Sequence, residues 1–179
     1  VFLNVASTGQ PVSFDPADAN LVVNEYTEYD CYDTLLDFNQ DGTDVVPALA
    51  ESWEQVDDLT YTYKIREGVK FSDGSDLTMD DVLYSLNRVR EDAYLFEHVD
   101  SFEVDEKTRT LTVHLTQPDS TWKYVPATTP CQILKKSVVE AEGDAYGTNE
   151  GSVVGTGPYK FVSWAADSQI VLEKNEYWW

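Results

Sequence analysis

Between Leu59 and Arg66 apolar and polar side chains alternate without a break: Leu59, Tyr61, Tyr63 and Ile65 against Thr60, Thr62, Lys64 and Arg66. A period of two predicts a strand with one buried and one wet face. Ahead of it, Gln55 to Asp58 is polar and is expected to turn the chain back from the apolar pair Leu49 and Trp53. Behind it, the short run Val69 and Phe71 ends at Ser72-Asp73-Gly74, a turn by composition. The period recurs from Ser101 to Thr116. There Phe102 and Val104, the turn Asp105-Glu106-Lys107-Thr108, and Leu111, Val113 and Leu115 spell a hairpin, with His114 on its wetter face. A last hairpin is expected from Tyr159 to Trp164 and Gln169 to Glu173.

Helical spacing occurs elsewhere. Tyr26, Tyr29, Tyr32 and Leu36, widened by Leu35, predict a helix from about Glu25 to Asp37, with Glu25 and Glu28 at the end its dipole makes positive. Thr78 precedes Met79, Val82, Leu83, Leu86 and Val89. Asp81, three residues beyond Thr78, makes a capping-box variant, and Arg88 and Arg90 suit the C-terminus of that helix. A short helix is expected from Ser137 to Ala141, ending near Gly143. The remaining segments read as connections. Val1-Phe2-Leu3 is strand-like, Val5 to Pro16 is an exposed link, Ala19 to Val23 is briefly extended, and Thr128-Thr129-Pro130-Cys131 is a rigid turn. The rings of Ala93-Tyr94-Leu95-Phe96 either pack or form a wall beside a ligand.

Few motifs carry reactive chemistry. Asp37 to Gly42 imitates the start of a calcium loop, but the twelfth position, where a bidentate Glu is required, is Ala48. A tight polar turn fits better. Glu150 to Pro158 holds three glycines without the Lys-Ser or Lys-Thr of a phosphate loop or the spacing of a dinucleotide turn. These glycines are expected to let backbone approach backbone where the chain returns to its first sheet. His98 and His114 have no His or Cys companion at metal-ligand spacing. No GxSxG, HExxH or CxxC is present, so the sequence gives no positive case for an enzyme, and no cofactor or metal is expected.

Charge alters this picture more than any motif does. The 179 residues carry 33 acidic and 12 basic side chains, a formal net charge of −21. Nucleic acid is a poor partner for such a surface, whereas a basic ligand or a high-salt solvent suits it. The acids are spread along the whole chain, as in an acidic coat that keeps a protein soluble in concentrated salt. A haloarchaeal source is therefore expected. There is no apolar run of transmembrane length and no cationic leader, which for a secreted protein means that processing has already occurred. Cys31 and Cys131 are either a disulfide or two buried thiols.

Three stretches resemble the family-5 extracellular solute-binding proteins, receptors of ABC importers. They are Ala50-Glu51-Ser52-Trp53, Thr60 to Arg66, and Gly68-Val69-Lys70-Phe71-Ser72-Asp73-Gly74. The likeness continues through Leu77 to Leu86, Gly155-Thr156-Gly157-Pro158-Tyr159 and Leu172-Glu173-Lys174-Asn175. It covers nearly the whole chain but only the first portion of a family member, and the apolar ends of the chain point to a piece whose second lobe is missing.

The resemblance implies an α/β fold, the first lobe of a two-lobe periplasmic-binding-protein-like architecture of type II, with an inserted α+β domain. Residues 1–37 and 152–179 would form the discontinuous sheet domain, and 38–151 the insertion. It also implies a protein that captures a peptide between two lobes and delivers it to permease subunits in the membrane. Relatives that bind oligosaccharides or nickel chelates supply an alternative, and a surface or scaffold protein without a transport ligand is a third. By position, the main chain of Leu21, Val22, Val23 and Asn24 would meet the peptide, with Asn24 and Glu25 as polar neighbours. Thr129 and Pro130 would line the cleft from the insertion, and Tyr94 or Phe96 would add an aromatic wall. Such a protein would be a monomer at the cell surface, lipid-anchored, with its leader removed.

Overall fold

A computed structural model describes residues 11, 13–18, 30–90, 94–148, 153–166 and 168–179. Its centre is a four-stranded antiparallel sheet built from β3 (Ala50–Asp57), β4 (Thr60–Ile65), β5 (Val99–Asp105) and β6 (Thr110–Leu115), in the order β3-β4-β6-β5. The alternation read in β4 is realised: Tyr61, Tyr63 and Ile65 are buried while Thr60, Thr62 and Lys64 are half-exposed. Cross-strand pairs Tyr61 with Val113 and Tyr63 with Leu111 bring the apolar faces of β4 and β6 together. Leu59 falls outside the strand and is partly exposed.

The expected turn at Gln55 to Asp58 is corrected. These residues continue β3 as far as Asp57, pairing Gln55 with Tyr61 and Asp57 with Thr60. The reversal is confined to Asp58 and Leu59, where the Leu59 amide donates to Asp57 Oδ1. An edge strand exposed along most of its length carries polar residues that read like a loop.

Two short strands, β1 (Leu36–Phe38) and β2 (Val45–Pro47), precede the sheet as a hairpin. The Asn39 side chain closes their turn by accepting the Thr43 and Asp44 amides. Here the expected helix to Asp37 fails. Only Asp30 and Cys31 are helical among the described residues of that span, and Leu36 pairs with Pro47 instead. Tyr32, Leu35 and Leu36 are buried at a spacing that suits a helix equally well, so periodicity could not separate the two.

After β4, Val69 and Phe71 are buried and the chain doubles back at Gly74, whose φ of +85° favours glycine. The helix α1 (Met79–Arg90) follows and packs Met79, Val82, Leu86 and Val89 into the core, with Leu83 only half-buried. Its capping box forms as expected: the Thr78 amide donates to Asp81 Oδ2 at 3.0 Å, and the Asp81 amide donates to Thr78 Oγ1 at 3.1 Å. Asp81 Oδ1 also accepts the Lys136 amide at 3.0 Å, at the start of α2 (Lys136–Glu142). Asp81→Ala removes both carboxylate acceptors and is expected to cost about 1–2 kcal/mol, read from the urea midpoint of the full-length protein. An unchanged midpoint would count against this account of the cap.

The hairpin β7 (Tyr159–Ala165) and β8 (Gln169–Lys174) closes the described chain. It packs Phe161, Trp164, Ile170 and Leu172 on a second apolar cluster of Phe14, Cys31, Tyr32, Leu134, Val139, Tyr146 and Val153, separate from the larger core on the four-stranded sheet. The two cysteines belong to different clusters and no disulfide joins them; both are buried as thiols. The glycines before β7 do permit close approach, although the partner is the Cys31 backbone. A Cβ on Gly155 would lie 2.1 Å from the Cys31 carbonyl oxygen.

Candidate functional site

Of the residues predicted to meet a ligand, Leu21, Val22, Val23, Asn24 and Glu25 lie outside the described residues. The segment leading to them, expected to be an exposed link, is instead buried at residues 11 and 13–16 and tightly fixed. The Phe14 amide donates to the Gly147 carbonyl at 2.6 Å, and the Asp15 amide to Ser13 Oγ at 2.9 Å. Asp15 is paired bidentately with Arg88 of α1, Nη1 to Oδ1 at 2.7 Å and Nη2 to Oδ2 at 2.5 Å. The carboxylate is buried and raises the guanidinium pKa further above its ordinary value. Gly147 has a φ of +74°, and a Cβ there would sit 2.5 Å from the Asp15 nitrogen, so only glycine lets the two segments meet.

Pro16–Asp18 forms one turn of 3₁₀ helix and packs against a second, Thr129–Cys131, which in turn rests on α1. Thr129 is thus brought beside the approach to residues 21–25, but it is only 5% exposed, while Pro130 is half-buried. Next to them Gln132 is 1% exposed, and its carboxamide oxygen and nitrogen are both without a hydrogen-bond partner. Leu134 is held to α1 by its amide, which donates to Ser85 Oγ at 2.9 Å. Below this junction the hydroxyls of Tyr32 and Tyr146 share a hydrogen bond of 2.8 Å, and burial raises both above the ordinary phenol range.

The aromatic wall separates into two unlike residues. Tyr94 is 84% exposed and available to a ligand. Phe96 is not: it is buried at 3% exposure, edge-on to Trp122 at 5.5 Å and to Phe102 at 6.1 Å. A ring already committed to the core cannot line a cleft without unpacking it, so Phe96 belongs to the packing alternative.

Sequence reasoning missed Asp15, Arg88 and Gln132. An arginine in the last turn of a helix reads as a dipole partner, and nothing in its spacing points to a carboxylate 73 positions away. Gln132 carried a fainter signal, as the one polar residue in the run Cys131 to Leu134.

A groove of about 720 Å³ lies at the far end of the sheet, where Asp57, Asp58, Asp100 and Glu103 gather beside His114. Among the described residues, none of those expected to meet a ligand lines it. Among the described residues no group of three or more His, Cys, Asp or Glu is placed to hold a metal. The junction around Asp15 and Thr129 combines a buried ion pair, main-chain contacts and one buried carboxamide whose donor and acceptor are both unspent.

Residues 44–179 match the family described as bacterial extracellular solute-binding proteins, family 5, middle. The chain belongs to this family. It is 30% identical over 173 residues to the glutathione-binding protein GsiB of Pectobacterium atrosepticum, across 93% of this chain and 33% of that protein. With the periplasmic oligopeptide-binding protein OppA of Salmonella typhimurium it shares 28% over 198 residues, across 98% of this chain and 36% of the relative. Solved structures agree. OppA of Haemophilus influenzae, in complex with the peptide RPPGFSPFR, superposes with a TM-score of 0.82 at 26% identity, over 96% of this chain and 37% of that one. AppA of Bacillus subtilis, in complex with a nonapeptide, gives 0.83 at 27%, over 96% and 36%.

The fold is therefore the mixed α/β one of family-5 periplasmic binding proteins. The chain spans about a third of the length of the curated relatives it matches. The family is one of extracellular or periplasmic solute-binding proteins.

Proposed function

We propose that this chain is the first lobe of a receptor that captures a peptide between two lobes and passes it to the permease of an ABC importer. The observation that carries the reading is the family match over residues 44–179, joined by the likeness to two relatives solved with peptides bound. Residues 1–37 and 152–179 are assigned to the sheet domain of that lobe and 38–151 to an insertion. The main chain of Leu21, Val22 and Val23 takes the peptide as an added strand, with Asn24 and Glu25 alongside, Thr129 and Pro130 behind and Tyr94 as a wall. Closure of the lobes then follows from ligand contacts made on both sides. The protein acts as a monomeric, lipid-anchored receptor at the cell surface, without catalysis, and its acidic coat suits concentrated salt.

A nickel transporter structure from Bacillus halodurans, with a TM-score of 0.76 at 27% identity, keeps a chelate-binding reading in view. The full-length protein is to be melted in molar salt with tri- to nonapeptides, oligosaccharides and nickel chelates. Saturable stabilisation by peptides alone is expected, about 2.7 kcal/mol at a hundredfold excess over Kd. Stabilisation by saccharides or chelates alone, or by nothing, overturns the peptide reading. Full stability at very low ionic strength would separately remove the salt adaptation.

A further inference from the structure

Asp33 lies between Cys31 and β1, and nothing in the proposed peptide site uses its side chain. Its carbonyl accepts the Ile133 amide at 2.9 Å, which fastens it to the run that carries Thr129 and Gln132. Its Oδ2 accepts the Trp179 indole Nε1–H at 3.1 Å, and the Thr156 hydroxyl faces the same carboxylate. None of the ion pairs among the described residues includes it. The Trp179 ring is also covered by the Arg66 guanidinium, 4.8 Å from its centroid, and forms one side of an open groove with Glu51, Arg66, Glu67 and Val69.

We infer that Asp33 and Trp179 form a proton-operated latch: the ionised carboxylate grips the indole N–H and holds Tyr177–Trp179 against the body of the protein, and the neutral acid loosens that grip. A hydrogen bond to a charged acceptor is roughly twice as strong as one between neutral groups, so one proton changes the hold substantially.

The surroundings place the change in an accessible pH range. Burial, with a smaller contribution from the charge of Asp37 on β1, raises the Asp33 carboxyl to about 6, against the opposing pull of the nearby Thr156 hydroxyl and of the Trp179 hydrogen bond. Asp30, on the preceding helical turn, is also raised by burial. Glu51 and Glu67 add negative charge around the groove, and Arg66 is the cation nearest the ring. Neither histidine intrudes: His114 pairs with Thr60 at the opposite end of β4, and His98 meets Gln117.

The latch leaves a double signature. Because the folded-state value lies above that of an unfolded aspartate, the folded protein binds the extra proton between about pH 4 and pH 6. Stability contributed by this group therefore rises as pH falls through about 6, even while the Trp179 hydrogen bond weakens.

The test is an NMR titration of the full-length protein with ¹⁵N-labelled tryptophan, the Trp179 indole being assigned by its loss in W179F. Its resonance should move with a midpoint near pH 6. Its hydrogen exchange, corrected for intrinsic rate, should quicken about tenfold from pH 7.5 to pH 5. The Trp122 indole, bonded to the neutral Tyr63 hydroxyl, serves as an internal control and should stay still. Asp33→Asn should abolish the titration and raise the melting temperature at pH 7. If D33N fails to fold, the Asp33 carboxyl carbon in W179F gives the second reading: losing the donor should move its midpoint upward. A Trp179 signal that does not titrate, that still titrates in D33N, or an Asp33 midpoint indifferent to W179F overturns the latch.

Discussion

Trp122→Ala should lower the stability of the full-length protein by about 3–5 kcal/mol, the largest loss expected for any single truncation here. Trp122 is fully buried in the 3₁₀ turn Trp122–Ala127, where it packs edge-on to Phe96. Its Nε1 donates to the Tyr63 hydroxyl at 3.1 Å, in the middle of β4. Truncation thus leaves a cavity and deprives a buried hydroxyl of its donor, two penalties of different origin. Trp122→Phe separates them. It refills most of the space and keeps the aromatic edge, and should recover more than half of the loss. Urea denaturation monitored by circular dichroism measures both. A loss under about 1 kcal/mol for the alanine variant would mean that the sheet does not depend on this ring.

Arg88→Met should cost about 2–4 kcal/mol, because it leaves the Asp15 carboxylate buried without its cation. The loss is smaller than for a fully enclosed pair because the arginine side chain is 27% exposed. The test is a double-mutant cycle with Asp15→Asn. The two single losses should exceed the double by about 1–3 kcal/mol, and additivity would show that the pair is not coupled. The consequence reaches the proposed site. Asp15 immediately precedes the Pro16–Asp18 turn that packs on Thr129–Cys131. Releasing it frees the approach to residues 21–25, so peptide affinity should fall along with stability.

Much of this was legible in the chain, for identifiable reasons. The hairpin β5–β6 and strand β4 were plain because a sheet buried on one face imposes alternation on its sequence. The helix α1 announced itself twice, by its stripe and by Thr78 with Asp81. Where a cue was lost, two structures answered to one pattern. Tyr32, Leu35 and Leu36 serve a helix or a buried loop and strand equally, and the wet edge of β3 imitates a turn. The site was less legible still. Asp15 with Arg88, and Asp33 with Trp179, are pairs of remote residues whose meeting depends on the completed fold. Phe96 and Tyr94, two positions apart in the same short turn, end up buried and exposed respectively.

The passage of Gly155 and Gly157 beside Cys31 bears on how the protein is made. The Cys31 carbonyl accepts the Gly157 amide at 3.0 Å, and a Cβ at position 157 would lie 2.6 Å from the Cys31 carbonyl carbon. One side of this seam is synthesised near the beginning of the described chain and the other close to its end. The four-stranded sheet can assemble while translation continues, but Phe14, Tyr32 and their neighbours must wait, with apolar surface uncovered, until β7 and β8 have left the ribosome. A nascent chain stalled between β6 and β7 should therefore hold a protease-resistant middle and a cleavable leading segment, and would lean on a chaperone for that interval.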